Sequence, residues 1–467
     1  MSKKFLFPIL LAASVTPVWA SGYRFGSQTV SAQATADANA AEAADASAQF
    51  FNPAALSKLS GSQYQLGGTL VVPQMSYQDH GSTRFTGSST GGTTPSGFAP
   101  DHALVPTFYL SRALNADLTW GLGVYVPYAA KLNYGSTWQG RYALKSIELA
   151  SLAINPSLAW KLDARQSVGF GLTAEYMKAK LSQAVDVPGS IAALAAAGVG
   201  GAVISAIQAE GGNPAVLASA QDAHAQIKGD GWGYGFNLGY LVDLSDSTRF
   251  GLAYRSPISH TLKGDTIWDF STVTTDPIVN HFLQNSSHKV NSDGRVKLMT
   301  PETVSANVFS QLNATWAAMA DVTWTRNSRL QDLHIEFPGS QLGDEVIRQR
   351  WRDTFRVSVG ANYRLNERTV LKGGVALDQS PVRSSELTHP ALPDGDRTWL
   401  SAGLSYKLDA ASSVDLAYSY VQFDQVEGNY SNDCSPLSTA CTGNGETTKG
   451  LYKTRLQLLG VSYNRKF

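Results

Sequence analysis

Thr398-Trp399-Leu400-Ser401-Ala402-Gly403-Leu404-Ser405-Tyr406-Lys407-Leu408 puts Leu400, Ala402, Leu404, Tyr406 and Leu408 on one face and Ser401, Gly403, Ser405 and Lys407 on the other. A period of two is the period of a strand. Val414, Leu416, Tyr418 and Tyr420 repeat the pattern, as do Phe355, Val357, Val359, Ala361 and Tyr363, set against Arg356, Ser358, Gly360, Asn362 and Arg364. A soluble sandwich also alternates, so the period alone does not choose between sandwich and barrel.

Connection lengths make the choice. Strands are expected near residues 63–78, 103–114, 120–127, 147–160, 167–180, 232–242, 248–255, 303–312, 316–327, 350–364, 369–378, 398–408, 413–426 and 451–467, fourteen in all. Tight turns at Asn115-Ala116-Asp117, Asp163-Ala164-Arg165, Asp243 to Ser247, Asn313-Ala314, Leu365 to Arg368 and Asp409 to Ser412 alternate with long loops, of which 181–230 is the longest. Short turns on one rim and long loops on the other mark a barrel inserted from the periplasm into an outer membrane. In hydrocarbon such a sheet must close, because an open edge leaves backbone groups without partners. The expected fold is all-β: a fourteen-stranded antiparallel transmembrane β-barrel (63–467). One irregularity stands in the last strand, where the apolar phase changes between Leu458 and Leu459; a bulge is expected there. Tyr77, Trp120, Tyr128, Trp160, Tyr176, Trp316, Trp351 and Tyr463 lie near strand ends and are read as interfacial girdles, ordinary β-propensity being the plainer explanation.

The chain ahead of these strands differs in composition. Residues 1–20 carry Lys3 and Lys4, an apolar run from Phe5 to Val15 and Val18-Trp19-Ala20, the layout of a cleavable export signal. Small and polar residues then run from Ser27 to Gln49, followed by Phe50-Phe51-Asn52-Pro53-Ala54. They are poor in strand formers and suited to short helices, and Asn52-Pro53 imposes a stop. The segment 21–62 is read as a hatch filling the lumen, with a disordered leader as the alternative. With 37 basic and 37 acidic residues, the chain advertises no polyanionic partner such as nucleic acid. Cys434 and Cys441, close in sequence in an exported chain, are expected to pair in a surface loop; no second ligand pair suggests zinc, and no cofactor is expected.

The combination resembles the outer-membrane long-chain fatty acid transporter family (FadL/TodX type). The resemblance is carried by Asn52-Pro53-Ala54, by Gly231-Trp232-Gly233-Tyr234-Gly235 leading to Leu252-Ala253-Tyr254-Arg255-Ser256, and by Arg352-Asp353 with Phe355-Arg356. Asp378 with Ser380-Pro381-Val382, and Pro393-Asp394 with Asp396-Arg397, complete it. It implies a monomeric channel in the outer membrane of a Gram-negative cell, both chain ends periplasmic, surrounded by membrane lipid and lipopolysaccharide. Long-chain fatty acids or other hydrophobic molecules, aromatic hydrocarbons included, would be taken up passively. It also implies a hatch whose leading residues Ser21, Gly22, Tyr23 and Phe25 reach the binding pocket, and a lateral opening at a kinked third strand, here carrying Gly121, Gly123 and Pro127. A terminal aromatic such as Phe467 resembles the recognition signal of such barrels.

Capture needs a greasy surface, because burying an acyl tail is worth about 0.8 kcal/mol per methylene. Ile191, Leu194, Val199, Val203, Ile204 and Ile207 in the longest loop are candidates, with packing onto other loops as the plainer role. A carboxylate asks for a guanidinium or ammonium. Strand parity extended upstream from Phe355 puts Arg348, Arg350, Arg352 and Arg356 on the lumen face. The family resemblance selects Arg348 or Arg350; its second basic ligand falls near Gln183, leaving Lys180 as a substitute. The lumen arginines are otherwise read as members of an ion-pair network. An enzyme is not expected. Gly87-Ser88-Ser89-Thr90-Gly91 matches Gly-x-Ser-x-Gly, but no helix is expected after it, and all eight histidines fall in expected loops; an outer-membrane esterase is the alternative class.

Overall fold

The computed structural model describes residues 26–95 and 97–467, so the expected export signal and Ser21, Gly22, Tyr23 and Phe25 lie outside the described residues. The wall consists of β1 (Ser62–Asp79), β2 (Ala103–Ala113), β3 (Leu118–Tyr125) continued by β4 (Ala129–Asn133), β5 (Ser146–Lys161), β6 (Gln166–Val185) and β7 (Ala223–Asp243). It goes on through β8 (Thr248–Arg255) and β9 (Ile258–Asp269), β10 (Ser292–Thr300) and β11 (Thr303–Gln311), and β12 (Trp316–Thr325) and β13 (Asp332–Glu336). Then come β14 (Glu345–Arg348) and β15 (Thr354–Arg364), β16 (Thr369–Asp378), β17 (Arg397–Lys407), β18 (Ser412–Phe423) with β19 (Val426–Ser431), and β20 (Thr447–Lys466). Counting each interrupted pair as one, these are fourteen antiparallel staves. β20 closes the barrel on β1 in one unbroken register from Gln63↔Lys466 to Asp79↔Gly450.

The short turns share one construction. Asn115, Asp163, Asn313, Asn366 and Asp409 each accept backbone N–H bonds from residues two and three further on, at 2.7–2.9 Å, and Ser245 does the same at 3.1–3.3 Å. A side chain that copies a backbone turn fixes the hairpin register without needing glycine.

The continuous register removes the expected bulge. Leu456 and Leu458 face inward and are fully buried, while Leu459 and Val461 face outward. The apolar pattern changes side because the lumen itself is apolar at that height, and the backbone does not shift. The same fact corrects the girdle: Trp160 and Trp316 are outward and exposed, but Tyr77, Tyr128 and Trp351 are buried inside the barrel. The histidine expectation also fails, since β7, β9 and β13 extend far enough to hold His224, His260 and His334.

The hatch fills the lumen, but not as helices of any length. Among the described hatch residues only α1 (Val30–Gln33) is α-helical, followed by 3₁₀ turns at Ala46–Phe50 and Pro53–Lys58. Ala36, Asp37 and Ala43 take left-handed φ values of 51°, 61° and 53°, which break the helix that alanine would otherwise extend. Small residues serve close threading here. A Cβ on wall glycines Gly169, Gly239, Gly374 or Gly460 would overlap Ala54, Asn52, Thr35 or Gln33.

Replacing Gly374 by valine should therefore expel this part of the hatch, overpacking costing about 1–3 kcal/mol. Barrel assembly, read from unheated electrophoretic mobility, should persist while cells become sensitive to bulky antibiotics. Gly373→Val, whose Cβ would find only Ser401 O at 3.8 Å, should change neither.

Candidate functional site

Above the wall, α2 (Val187–Ala196) and α3 (Gly200–Ala209), bent 117° to each other, pack beside α4 (Pro277–Ser286). Asp186 and Asp276 cap α2 and α4, accepting from Gly189 N and Ile278 N at 2.9 Å. The helices and the Cys434–Cys441 disulfide loop enclose a groove of about 260 Å³ lined by Val187, Ile191, Leu194, Val203, Phe282 and Leu437, among others. Of the six loop residues singled out in the sequence, Ile191, Leu194 and Val203 line the groove and Ile207 is buried beneath it. Val199 and Ile204 are exposed and do not line it.

The groove contains one charge that sequence reasoning missed. Lys289 lines it while only 5% exposed, its Nζ 5.9 Å from the centre of the Trp268 ring. Burial lowers its pKa to about 8, opposed by the charge of Glu345. Glu345, itself raised by burial to about 7, accepts from Gln183 Nε2 at 3.3 Å. No periodicity marks Lys289, which stands in an irregular link between α4 and β10.

Inside the barrel at the loop end, Tyr77, Phe98, Tyr128, Tyr134, Trp138 and Trp351 belong to one apolar cluster, with Phe98, Tyr134 and Trp138 stacked at 4.5 and 4.1 Å. A hollow of about 80 Å³ is lined mainly by apolar side chains, among them Leu149, Leu181, Ile227, Leu262, Val296 and Ile335.

Arg356 turns into the lumen as expected, but the basic residues expected to hold a carboxylate there are elsewhere. Arg348 pairs with Asp433 and donates to Ser431 O at 2.9 Å on the loop rim. Arg350 is exposed, at φ +44°, within an irregular link between β14 and β15. That link interrupts the parity: Trp351 and Arg356 both turn inward, and Phe355 between them turns out. Lys180 points outward from β6 and is exposed. The lumen cation left without a carboxylate within 4 Å, among the described residues, is Arg255. It donates to Tyr125 OH at 2.8 Å and Phe50 O at 2.7 Å, beneath the Phe50 ring. Its signal was in plain view, in Leu252-Ala253-Tyr254-Arg255-Ser256. Arg397, by contrast, is buried against Asp378 and Asp394, an ion-pair cluster.

The hatch is latched by polar contacts. Asn52 Nδ2 donates to Tyr240 O and Leu252 O (3.0 and 3.3 Å) on adjacent strands, and its Oδ1 accepts from Ala54 N. Arg356 meets Asp37 at 3.0 Å, Asn362 donates to Glu42 at 2.7 Å, and Arg249 holds Ala41 O, Glu42 O and Asp243.

The wall has a gap. β3 pairs with β2 only from Phe108 to Ala113, β4 pairs with β5 alone, and Ala103–Thr107 of β2 pairs only with β1, among the described residues. The break falls at Val126-Pro127-Tyr128, so Pro127 is at the opening. Gly121 and Gly123 are not: they sit in intact ladders, and a Cβ on Gly121 would meet Gln49 and Leu56 of the hatch. The hatch reaches the break itself, where Gln28 Nε2 donates to Val126 O at 2.6 Å and Gln28 O accepts from Tyr109 OH at 3.1 Å.

A closed barrel of fourteen staves has known counterparts. The profile of the outer membrane protein transport protein family (OMPP1/FadL/TodX) matches residues 10–467. The chain belongs to this family. It is 34% identical to a putative outer membrane protein of Neisseria meningitidis serogroup B, covering all of this chain and 98% of that one. It is 27% identical to the long-chain fatty acid transport protein of Escherichia coli O6:H1, covering 91% and 94%. A Pseudomonas aeruginosa FadL homologue of known structure shares the fold, with 22% identity, 96% and 100% coverage and a TM-score of 0.81. The protein is an outer-membrane channel for hydrophobic compounds, in a family of transport channels. In the Gly-x-Ser-x-Gly stretch, Ser89 Oγ accepts from Gly91 N at 3.1 Å within an irregular loop. Buried His389, lowered to about pKa 3, accepts from Ala391 N at 3.1 Å.

Because Lys289 keeps its proton below about pH 8, its attraction for a carboxylate is present at neutral pH and fades as pH rises through that value. Palmitate affinity should fall several-fold between about pH 7 and 9 while hexadecanol affinity holds. Lys289→Met should remove the difference, as measured by fluorescence displacement.

Proposed function

We propose that the cargo is a long-chain fatty acid, caught by the loop groove, passed into the apolar upper lumen and released sideways between β2 and β4. The observation that carries this reading is the pairing of an apolar groove with one desolvated ammonium, Lys289, in a barrel whose wall is open at Val126-Pro127-Tyr128. Tail burial supplies the affinity, so capture needs no energy source. The ammonium selects the acid over the ester. Arg255, which donates to Tyr125 OH and a hatch carbonyl and has no carboxylate within 4 Å among the described residues, offers the carboxylate a second anchor beside the hatch. The chain acts as a monomer, with its six short turns and its C-terminal strand end on the periplasmic rim. The leading residues Ser21, Gly22, Tyr23 and Phe25 are assigned to the pocket by family likeness alone.

The hollow of about 80 Å³ supports a second reading, an aromatic hydrocarbon cargo, since its apolar lining would accept a ring as readily as an acyl chain. Growth of a deletion strain carrying this chain separates the two: growth on oleate is expected, and growth on toluene alone would replace the fatty acid reading. For the exit route, a short thiol cross-link between Gln28→Cys and Pro127→Cys should abolish transport and leave binding intact. Undiminished transport through the cross-linked protein would reject the lateral exit.

A further inference from the structure

The outward face of β4–β10 carries a band of charge that transport of an apolar cargo does not use. The registers align Lys131, Glu148, Lys180, Lys228, Asp265 and Asp293 in one row across adjacent strands. Lys178, Asp230, Lys263 and Arg295 form the row next to it on the membrane side. One step further, Tyr176 lies opposite Trp232, their rings 5.3 Å apart. Leu152 stands in that same row, and beyond it the outward residues include Leu172 and Phe236, all three exposed. The band therefore lies just above the aromatic boundary of the apolar belt, on the side of the long loops, where the head groups of the outer leaflet lie.

Lys131 meets Glu148 and Lys228 meets Asp265, both at 3.1 Å. Lys178, Lys180 and Lys263 have no carboxylate within 4 Å among the described residues. Lys180 and Lys228 stand directly opposite on neighbouring strands, a pairing that like charges oppose. Lys131, Lys178, Lys180 and Lys228 line a depression of about 480 Å³ together with Glu148, Asp230 and Asp265, four ammonium groups against three carboxylates. Excess ammonium groups around a hollow at head-group depth, with an acyl-compatible wall directly beneath, call for an anion carried on a lipid. We propose that this face binds a phosphorylated glycolipid of the outer leaflet. The phosphates would sit among Lys178, Lys180 and Lys228 and the acyl chains would lie along Leu152, Leu172 and Phe236. Lys131 belongs to β4, the edge of the wall gap, so the bound lipid would stand beside that opening.

The test uses the full chain purified in detergent and native mass spectrometry with three probes: bisphosphorylated lipid A, the same lipid dephosphorylated, and inorganic phosphate. Wild-type protein should retain bisphosphorylated lipid A, and Lys178→Gln/Lys180→Gln/Lys228→Gln should bind it about five-fold more weakly for each lysine removed. Dephosphorylated lipid should bind both proteins alike, and inorganic phosphate should not displace lipid A. Equal retention of lipid A by wild type and variant would overturn the proposal, as would its displacement by inorganic phosphate, which would reveal a site for free anions. Unheated electrophoretic mobility checks folding. If the triple variant fails to fold, Lys178→Gln/Lys180→Gln is read in the same way, since neither lysine makes an ion pair among the described residues.

Discussion

Hydrocarbon offers no hydrogen bonds, so every N–H and C=O at membrane depth must find its partner inside the chain. Closure of β20 on β1 meets that demand around most of the circumference. It is not met by strand pairing at the break between β3 and β4. There Ser151 takes over: its Oγ accepts from Tyr128 N at 3.1 Å and its N–H donates to Tyr128 O at 2.8 Å. Gln28 of the hatch donates to Val126 O. The hatch is thus both the stopper of the lumen and part of the hydrogen bonding of the wall, and the two roles cannot be separated.

This explains why the hatch is built from small and polar residues and not from an apolar core. A buried ion pair such as Arg356–Asp37, or a side-chain amide such as Asn52 bridging two strands, fixes geometry strongly while contributing little net stability, because desolvation offsets most of the attraction. Directional contacts of this kind hold one arrangement and are cheap to exchange for another. The upper lumen has the opposite character, with stacked Phe98, Tyr134 and Trp138 contributing apolar surface and no directional demand.

The barrel was legible in the sequence because both its signals are local: a period of two within each strand, and turns whose Asn or Asp side chains set their own geometry. What failed were inferences that carried parity across a gap or equated apolar with lipid-facing. Arg348 and Arg350 were placed by counting back through Gln349–Asp353, where a left-handed Arg350 destroys the count. Leu456 and Leu458 suggested a bulge, and Tyr77 and Trp351 a girdle, because nothing in a single strand says that the lumen above the hatch is itself apolar. Lys289 was invisible for a third reason: its burial is created by α2, α4 and the disulfide loop together, elements distant in sequence.

The two exits open to a molecule in the lumen differ in what must break. Downward passage along the axis requires release of Arg356–Asp37, the Arg249 contacts to Ala41, Glu42 and Asp243, the Asn52 bridge and the Lys58–Asp243 pair. Sideways passage between β2 and β4 requires displacement of the segment around Gln28, held at the break by Val126 O and Tyr109 OH. Buried Val105, Val126, Ala129 and Leu458 pack together in this region, so an apolar molecule moving toward the opening stays among carbon atoms. Past the strand edges it meets lipid and not water, and its tail is never desolvated twice. On solvation, the lateral route proposed above is the less costly one.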